Sequence, residues 1–357
     1  MLFNSAHYLL FFLPFIFIFY FLLRRFTDSD GKIILILAGL LFYGWWNINY
    51  TPLIVFSIFF NYLLFKKIIS SKNKSKKKFI LLFTIFCNVF YLGIFKYTDF
   101  IIQNLNYFLD LKIKLFNLPF PLAMSFFTFQ TIAFLVDAYD DEIKNINFKK
   151  YSLFIIFFPQ LIAGPIVKYN NMMSQFDTIE NKNINLNNIL LGLTIIAIGL
   201  FKKVIIADNL STYASPIFFA ADQSMSLSFL EAWSGVLCYT FQLYFDFSGY
   251  SDMAVGLGYM FGIKLPINFN SPFKSTNVAE FWRSWHITLG IFIRNYVYYP
   301  ISIFFTRVAI AKKRNAISNY LLTLIIPTLI TYLLLGLWHG SGINFILFGA
   351  LHGIYII

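Results

Sequence analysis

The sequence is built from long apolar runs with few or no charged residues, and this feature restricts its possible folds most strongly. The first four runs lie near residues 7–24, 32–46, 51–67 and 79–97. They approach or reach the roughly 20 residues with which a helix crosses a bilayer. Backbone amides in lipid must be satisfied within the protein, so spanning segments are helices or strands of a closed barrel. Because the apolar residues here do not alternate with polar ones, the sequence predicts an all-α, polytopic integral membrane protein.

Charge is scarce and clustered, as expected for a protein in lipid. Charged residues make up 12% of the chain, against roughly 25% in soluble domains. Much of the net charge of +12 comes from one short segment that contains Lys66, Lys67, Lys72, Lys74, Lys76, Lys77 and Lys78. A nucleic-acid-binding patch is the alternative explanation, but a cytoplasmic loop between two spans is favoured by the positive-inside rule. We therefore expect the lipid bilayer, and no nucleic acid, as a partner.

The same rule predicts an orientation. Arg24 and Arg25 follow the first run, and the turn at residues 47–50 has no charge. Together with the lysine-rich loop they fit a topology with an extracytoplasmic N-terminus and cytoplasmic basic loops. No basic residue precedes the first run, so it is expected to be an anchor and not a cleaved signal peptide.

Beyond residue 97 the pattern becomes irregular. Residues 98–117 mix polar and apolar types and are expected at the membrane interface. The runs at 120–139 and 151–168 contain proline and polar side chains, which indicates broken or re-entrant helices buried in protein or lining a wet cavity. A polar loop is predicted over 171–186, and helices are predicted over 187–206, 228–262, 279–300, 316–338 and from 343 onwards. One domain is expected over residues 1–357.

Polar and ionisable residues collect in one stretch of the chain, between residues 242 and 294. They are Gln242, Asp246, Asp252, Glu280, Arg283, His286 and Arg294. An ionisable residue within a membrane costs about 2.5–3.5 kcal/mol, which marks this stretch as a candidate site. On the predicted helix, Glu280, Arg283 and His286 follow one another at intervals of three, on neighbouring faces. A neutralised Glu–Arg pair would leave His286 free to act; a structural polar cluster between helices is the alternative.

A second candidate is His339, which ends an apolar helix beside Gly336, Gly340 and Gly342. Glycines allow a helix or a ligand to approach the backbone closely. A buried imidazole stays neutral and can accept a proton, as a general base must near pH 7. An interhelical hydrogen-bonded histidine is an equally good explanation, and for His352 a packing role is expected.

Other chemistries have no support in the sequence. Four histidines spread along the chain lack zinc-site spacing, and Cys87 and Cys238 lie in apolar runs where free buried thiols are expected. There is no G-x-S-x-G elbow and no phosphate loop. Histidine-assisted transfer to a hydroxyl group fits the available side chains best.

Several segments resemble the membrane-bound O-acyltransferases, especially the bacterial branch that acetylates extracellular polysaccharides such as alginate and peptidoglycan. In chain order they are residues 1–5, 125–130, 158–165, 201–204 with 207–209, 242–253, 281–286, 337–340 and 349–353. Each segment is modest alone, but their common order is highly specific. The chain departs from the family pattern at Arg283-Ser284, at Arg294-Asn295-Tyr296 and at residues 301–305.

The resemblance implies a ring of helices around a funnel through the cytoplasmic membrane. It matches the essential histidine to His339 and a second conserved polar position to His286. The residues expected to line or support the substrate channel are Gln242, Asp246, Asp252, Glu280, Trp282, Arg283 and Trp338. The resemblance further implies no bound cofactor, an acyl thioester such as acetyl-CoA as donor, and a separate extracytoplasmic acetyltransferase as partner. Because the family continues beyond the last helix, the chain is expected to be C-terminally truncated.

Two alternatives stay open at this point. The same fold could transfer D-alanine to teichoic acid from a carrier-protein thioester, although residues 1–5 and 160–165 favour the acetylation branch. A transporter or flippase without chemistry would also explain broken helices and intramembrane charge, but the paired half-repeats typical of transporters are not visible in the sequence.

Overall fold

The computed structural model describes residues 3–24, 28–176, 184–311 and 315–357. Within these ranges every regular element is a helix. The helices are α1 (Leu13–Arg24), α2 (Asp28–Trp46), α3 (Thr51–Ser70), α4 (Lys74–Leu109), α5 (Met124–Tyr139), α6 (Phe148–Ile156), α7 (Phe158–Leu161), α8 (Tyr169–Phe176), α9 (Leu186–Leu200), α10 (Asp208–Asp222), α11 (Phe229–Met260), α12 (Val278–Ser284), α13 (Ile287–Ile293), α14 (Tyr299–Ala311), α15 (Ala316–Tyr320), α16 (Ile326–His339) and α17 (Ile343–Ile356). The predicted all-α fold is confirmed.

Four helical segments in the described part of the chain are long and apolar enough to cross a membrane. They are Ile48–Ser70, Lys74–Leu109, Leu186–Asp222 and Ala316–His339. Shorter apolar helices occupy Tyr8–Arg24, Gly31–Trp46 and Ile343–Ile356. Many large apolar side chains on these helices are exposed, as expected for a surface that faces lipid. The polytopic membrane character is therefore confirmed.

Helix α4 extends further than the sequence suggested. It continues without a break to Leu109, so the helix does not end with the apolar run near residue 97. Where the membrane span ends stays a prediction. The polar residues beyond residue 97 hold the following loop against the helix. The carboxylate of Asp99 accepts hydrogen bonds from the backbone N–H groups of Phe116 and Asn117, at 2.8 and 2.9 Å. The side chain of Asp99 therefore binds the loop that follows the helix and does not end the helix.

Other boundaries were predicted with mixed success. The break expected within 151–168 is confirmed, since α6 ends before Phe157 and the short α7 follows it. No break interrupts α5, because Pro121 precedes that helix. The polar loop expected from residue 171 begins instead with α8, and its residues 177–183 lie outside the described ranges. The helix that begins at α9 passes through a π-helical turn, Phe201–Ala207, into α10.

The described contacts divide the chain into two compact units. Unit 1 comprises Met1–Tyr62 and Asn145–Asn268, and unit 2 comprises Leu63–Lys144 and Phe269–Ile357. The single domain expected from the sequence stays a prediction.

Within unit 1, α9 and α11 pack with their backbones in close contact. A Cβ atom on Gly192 would lie 2.6 Å from the carbonyl oxygen of Gly256, and one on Gly199 would lie 2.6 Å from that of Gly249. Small residues at such contacts let membrane helices approach closely enough for backbone packing. The two glycine pairs therefore fix the spacing of α9 and α11.

Candidate functional site

His339 is the last residue of α16, in unit 2. The chain leaves the helix through Gly340 and Gly342, which are both extended. The interruption that the sequence predicted between His339 and His352 is therefore confirmed. His339 is exposed in the structure.

Glycines next to this histidine bring two helices into backbone contact. A Cβ atom on Gly336 would lie 2.2 Å from the carbonyl oxygen of Phe345. On the other helix, a Cβ atom on Gly349 would lie 2.4 Å from the carbonyl oxygen of Tyr332. The close approach predicted from these glycines is thus present, and it packs α17 directly against the helix that carries His339.

Aromatic rings surround His339. Its ring centroid lies 4.7 Å from that of Trp338 and 5.3 Å from that of Phe348. Phe348 in turn lies 4.5 Å from His352, whose ring also packs edge-on against Trp282 at 4.9 Å. His352 therefore lies one aromatic ring away from His339, and its packing role stays a prediction.

His286 occupies a break between two helices. We predicted one helix over 279–300, but α12 ends at Ser284, Trp285 is extended, and His286 has φ 43° and ψ 55°. The ring of Trp285 stacks on Phe281 at 5.6 Å and meets Phe269 at 5.1 Å. This aromatic packing holds the chain out of helical geometry.

The break changes the expected geometry of the polar cluster. Glu280 and Arg283 lie on one helix as predicted, but the helical interval of three between Arg283 and His286 does not exist. A left-handed backbone costs an L-residue about 1–2 kcal/mol. Such strain is retained most often at functional sites.

His286 is only 5% exposed, in contrast to His339. Burial, with a smaller effect from the nearby His339, lowers the pKa of His286 below its ordinary value, at a position outside the four candidate spans. The ring of Phe126 lies 6.3 Å from that of His286 and 6.5 Å from that of Trp338, the residue before His339. Within unit 2, Phe126 therefore packs against the buried His286 and against the neighbour of the exposed His339.

Glu280 and Arg283 are both exposed in unit 2. The carboxylate of Glu280 accepts hydrogen bonds from the backbone N–H and the hydroxyl of Thr276, both at 2.8 Å. These bonds, and to a lesser degree the charge of Arg283, lower the pKa of Glu280. Glu280 thus stabilises the loop before α12, and its channel role stays a prediction.

Asp246 and Asp252 lie on α11 in unit 1 and pair with lysines. Lys202 contacts Asp252 at 2.6 Å, and Lys203 contacts Asp246 at 2.5 Å. Gln242 lies on the same helix and is half-buried. Ionic pairing between α11 and the π-helical turn therefore accounts for the two aspartates, and their role in a channel stays a prediction.

Sequence reasoning missed two polar contacts in unit 2. Tyr296 donates a hydrogen bond to the buried Asp137 at 2.7 Å. Lys96, within α4, donates to the carbonyl oxygen of Trp338, next to His339. A single charge within an apolar run was the visible signal for Lys96.

The described residues contain no group of three or more His, Cys, Asp or Glu side chains that could hold a metal ion. The site within this part of the chain is therefore built from imidazole, indole and phenyl rings. The imidazoles can move a proton, and the apolar rings beside them can bind an acyl chain.

Comparison with known proteins agrees with this chemistry. The family model of the membrane-bound O-acyltransferases matches residues 2–357. A peptidoglycan O-acetyltransferase of Helicobacter pylori is 43% identical over 99% of this chain and 69% of its own length. The protein named Probable alginate O-acetylase AlgI, of Azotobacter vinelandii, is 34% identical over 100% of this chain and 68% of its own length.

A more distant relative carries a different name. The teichoic acid D-alanyltransferase of Bacillus subtilis is 32% identical over 67% of this chain and 58% of its own length. The chain spans about two thirds of the length of the two acetylating relatives. The match of the family model along the whole chain shows that this protein belongs to the membrane-bound O-acyltransferase family.

Proposed function

We propose that this protein transfers acetyl groups from a thioester donor to hydroxyl groups of an extracellular polysaccharide. The observation that carries the proposal is the arrangement in unit 2 of an exposed His339 and a buried His286, which are linked by successive ring contacts through Trp338 and Phe126. Acyl transfer needs a group that takes a proton from the attacking hydroxyl and a group that polarises the carbonyl.

The two histidines supply these functions. His339 takes the proton of the acceptor hydroxyl while the oxygen of that hydroxyl attacks the thioester carbonyl. His286, whose ring is fixed by burial, orients or polarises that carbonyl. When the tetrahedral intermediate collapses, the carbon–sulfur bond breaks and the imidazolium of His339 returns its proton to the departing thiolate. General base catalysis of this kind contributes about 10²–10⁴-fold in rate.

The predicted topology and the family resemblance support a donor and a direction of transfer. Acetyl-CoA, or another acyl thioester, reaches the site from the cytoplasm, and the acceptor arrives from outside. The cluster of basic residues between α3 and α4 supports a cytoplasmic location for that loop, and hence an extracytoplasmic N-terminus in the cytoplasmic membrane. A funnel within a ring of helices would join the two sides at His339.

The relatives support peptidoglycan or an alginate-like polymer as acceptor, since their names state these substrates. A separate extracytoplasmic acetyltransferase is the partner protein in our proposal. Transfer of D-alanine is the weaker candidate, because the relative with that name matches less of the chain. A neighbouring gene for a carrier protein and its ligase would favour alanylation, and one for a secreted hydrolase-like partner would favour acetylation.

A transfer assay in membrane vesicles tests the proposal. Vesicles that contain the wild-type chain, His339→Ala or Lys77→Met are supplied with acetyl-labelled CoA and acceptor polysaccharide. Lys77 pairs with Asp141 at the other end of α4, which makes it a suitable control. Labelled product is expected from the wild type and the control only. Equal transfer by His339→Ala would refute the catalytic assignment, and solute uptake without transfer would indicate a transporter.

A further inference from the structure

Lys96 is a charged residue in the interior of a spanning helix. It lies on α4, within the candidate span Lys74–Leu109, and is half-buried. Charged residues in spans are costly and therefore mark functional positions by default. Among the residues that the structure describes, Lys96 has no carboxylate partner. An ordinary ion pair therefore does not explain why a lysine is kept here.

The contacts of Lys96 all surround the end of α16. Its ammonium donates a hydrogen bond to the carbonyl oxygen of Trp338. It also lies over the ring of Trp338, 5.7 Å from the centroid, and over that of Phe120 at 5.8 Å.

The neighbouring residue on α4 makes the matching contact. The hydroxyl of Tyr97 donates to the carbonyl oxygen of Leu337 at 2.5 Å. The last carbonyls of a helix have no partner within it, and a cation near them is favourable. Because Gly340 is extended, the chain does not form the left-handed turn that often caps such carbonyls. Two consecutive side chains of α4 take over that task.

We propose that Lys96 is a positioning residue for acyl transfer. By binding the carbonyl of Trp338, it fixes the C-terminal end of α16 and thereby the direction in which the imidazole of His339 points. Tyr97 supports the same helix end from the adjacent carbonyl. This inference rests on the proposed function, because it assigns Lys96 to the orientation of the base. A cap that only stabilised the fold would not require a charged group, since the hydroxyl of Tyr97 serves at Leu337.

The test separates orientation from folding through kinetics. The full chain is measured as wild type, Lys96→Met, Lys96→Arg and Lys77→Met, with acetyl-CoA as donor. A displacement of about 1 Å at a reacting group costs on the order of 10²-fold in rate. We expect Lys96→Met to lose about that factor in kcat with KM little changed, Lys96→Arg to recover most of it, and Lys77→Met to match the wild type.

A second readout does not depend on the donor. Diethyl pyrocarbonate modifies accessible neutral imidazoles, and mass spectrometry reports its rate at each histidine. In Lys96→Met the rate at His339 is expected to change several-fold, while that at His7 stays constant. If Lys96→Met fails to accumulate, Tyr97→Phe, which keeps the charge, is expected to show a smaller change of the same kind.

Each result bears on a different claim. Unchanged kcat and unchanged modification of His339 in a folded Lys96→Met protein would overturn the positioning role. If His339→Ala is inactive while Lys96→Met is normal, the inference fails and the proposed function stands. If His339→Ala is fully active, the proposed function fails, and the modification rate alone decides whether Lys96 positions the ring.

Discussion

Replacing His286 by glycine and by alanine separates the backbone of this residue from its ring. Both variants remove the same imidazole, so the lost packing nearly cancels between them. At φ 43° and ψ 55° alanine pays a penalty of about 1–2 kcal/mol. Glycine avoids this penalty but loses about 0.5–1 kcal/mol through the entropy of its unfolded chain. The glycine variant should therefore be more stable than the alanine variant by roughly 0.5–1 kcal/mol.

The same pair of substitutions at His352 provides a matched control. His352 lies within α17, where glycine is less stable than alanine by about 1 kcal/mol. The sign of the difference should consequently reverse between the two positions. Reversible unfolding in mixed micelles, followed by tryptophan fluorescence, measures both differences. Alanine as stable as glycine at position 286 would refute the left-handed backbone, and full acetylation by either variant would refute the role of the ring.

Three further predictions concern packing and charge. Gly256→Ala should destabilise the chain by about 1–3 kcal/mol through overpacking, because its Cβ would lie 2.6 Å from a carbonyl oxygen. Gly93→Ala should not, because its Cβ would meet only the ring of Tyr97, at 4.0 Å; equal stability of the two variants in micelle unfolding would contradict the close contact. Lys202→Met should reduce accumulation in membranes by leaving Asp252 unpaired, and a second change, Asp252→Leu, should restore it. Tyr296→Phe should lower stability by about 1.5–3 kcal/mol, since it removes a hydrogen bond to the buried carboxylate of Asp137; an unchanged unfolding midpoint would argue against this bond.

The continuous apolar runs were sufficient to predict the class of fold but not the ends of its helices. Continuous apolar runs require helices in lipid, and the structure has them. The end of α4 was misplaced because polar side chains such as Asp99 bind a loop that comes later in the chain. Their partners are not visible in the local sequence.

The candidate site was predicted in part for a similar reason. The glycines around His339 signalled both the helix end and the close packing of α17, because glycine has few other uses in an apolar helix. The break at His286 could not be predicted, since it has no proline or glycine and depends on packing of Trp285 against distant rings. The lysine partners of Asp246 and Asp252 also come from another helix.

The central claim is that His339 accepts the proton of a polysaccharide hydroxyl during acetyl transfer. The most direct measurement is the O-acetyl content of surface polysaccharide, by mass spectrometry, in cells that lack the gene and carry either the wild-type chain or His339→Ala. We predict that acetylation returns with the wild type and is absent with His339→Ala, although both proteins accumulate equally in the membrane. Normal acetyl content with His339→Ala would contradict the account.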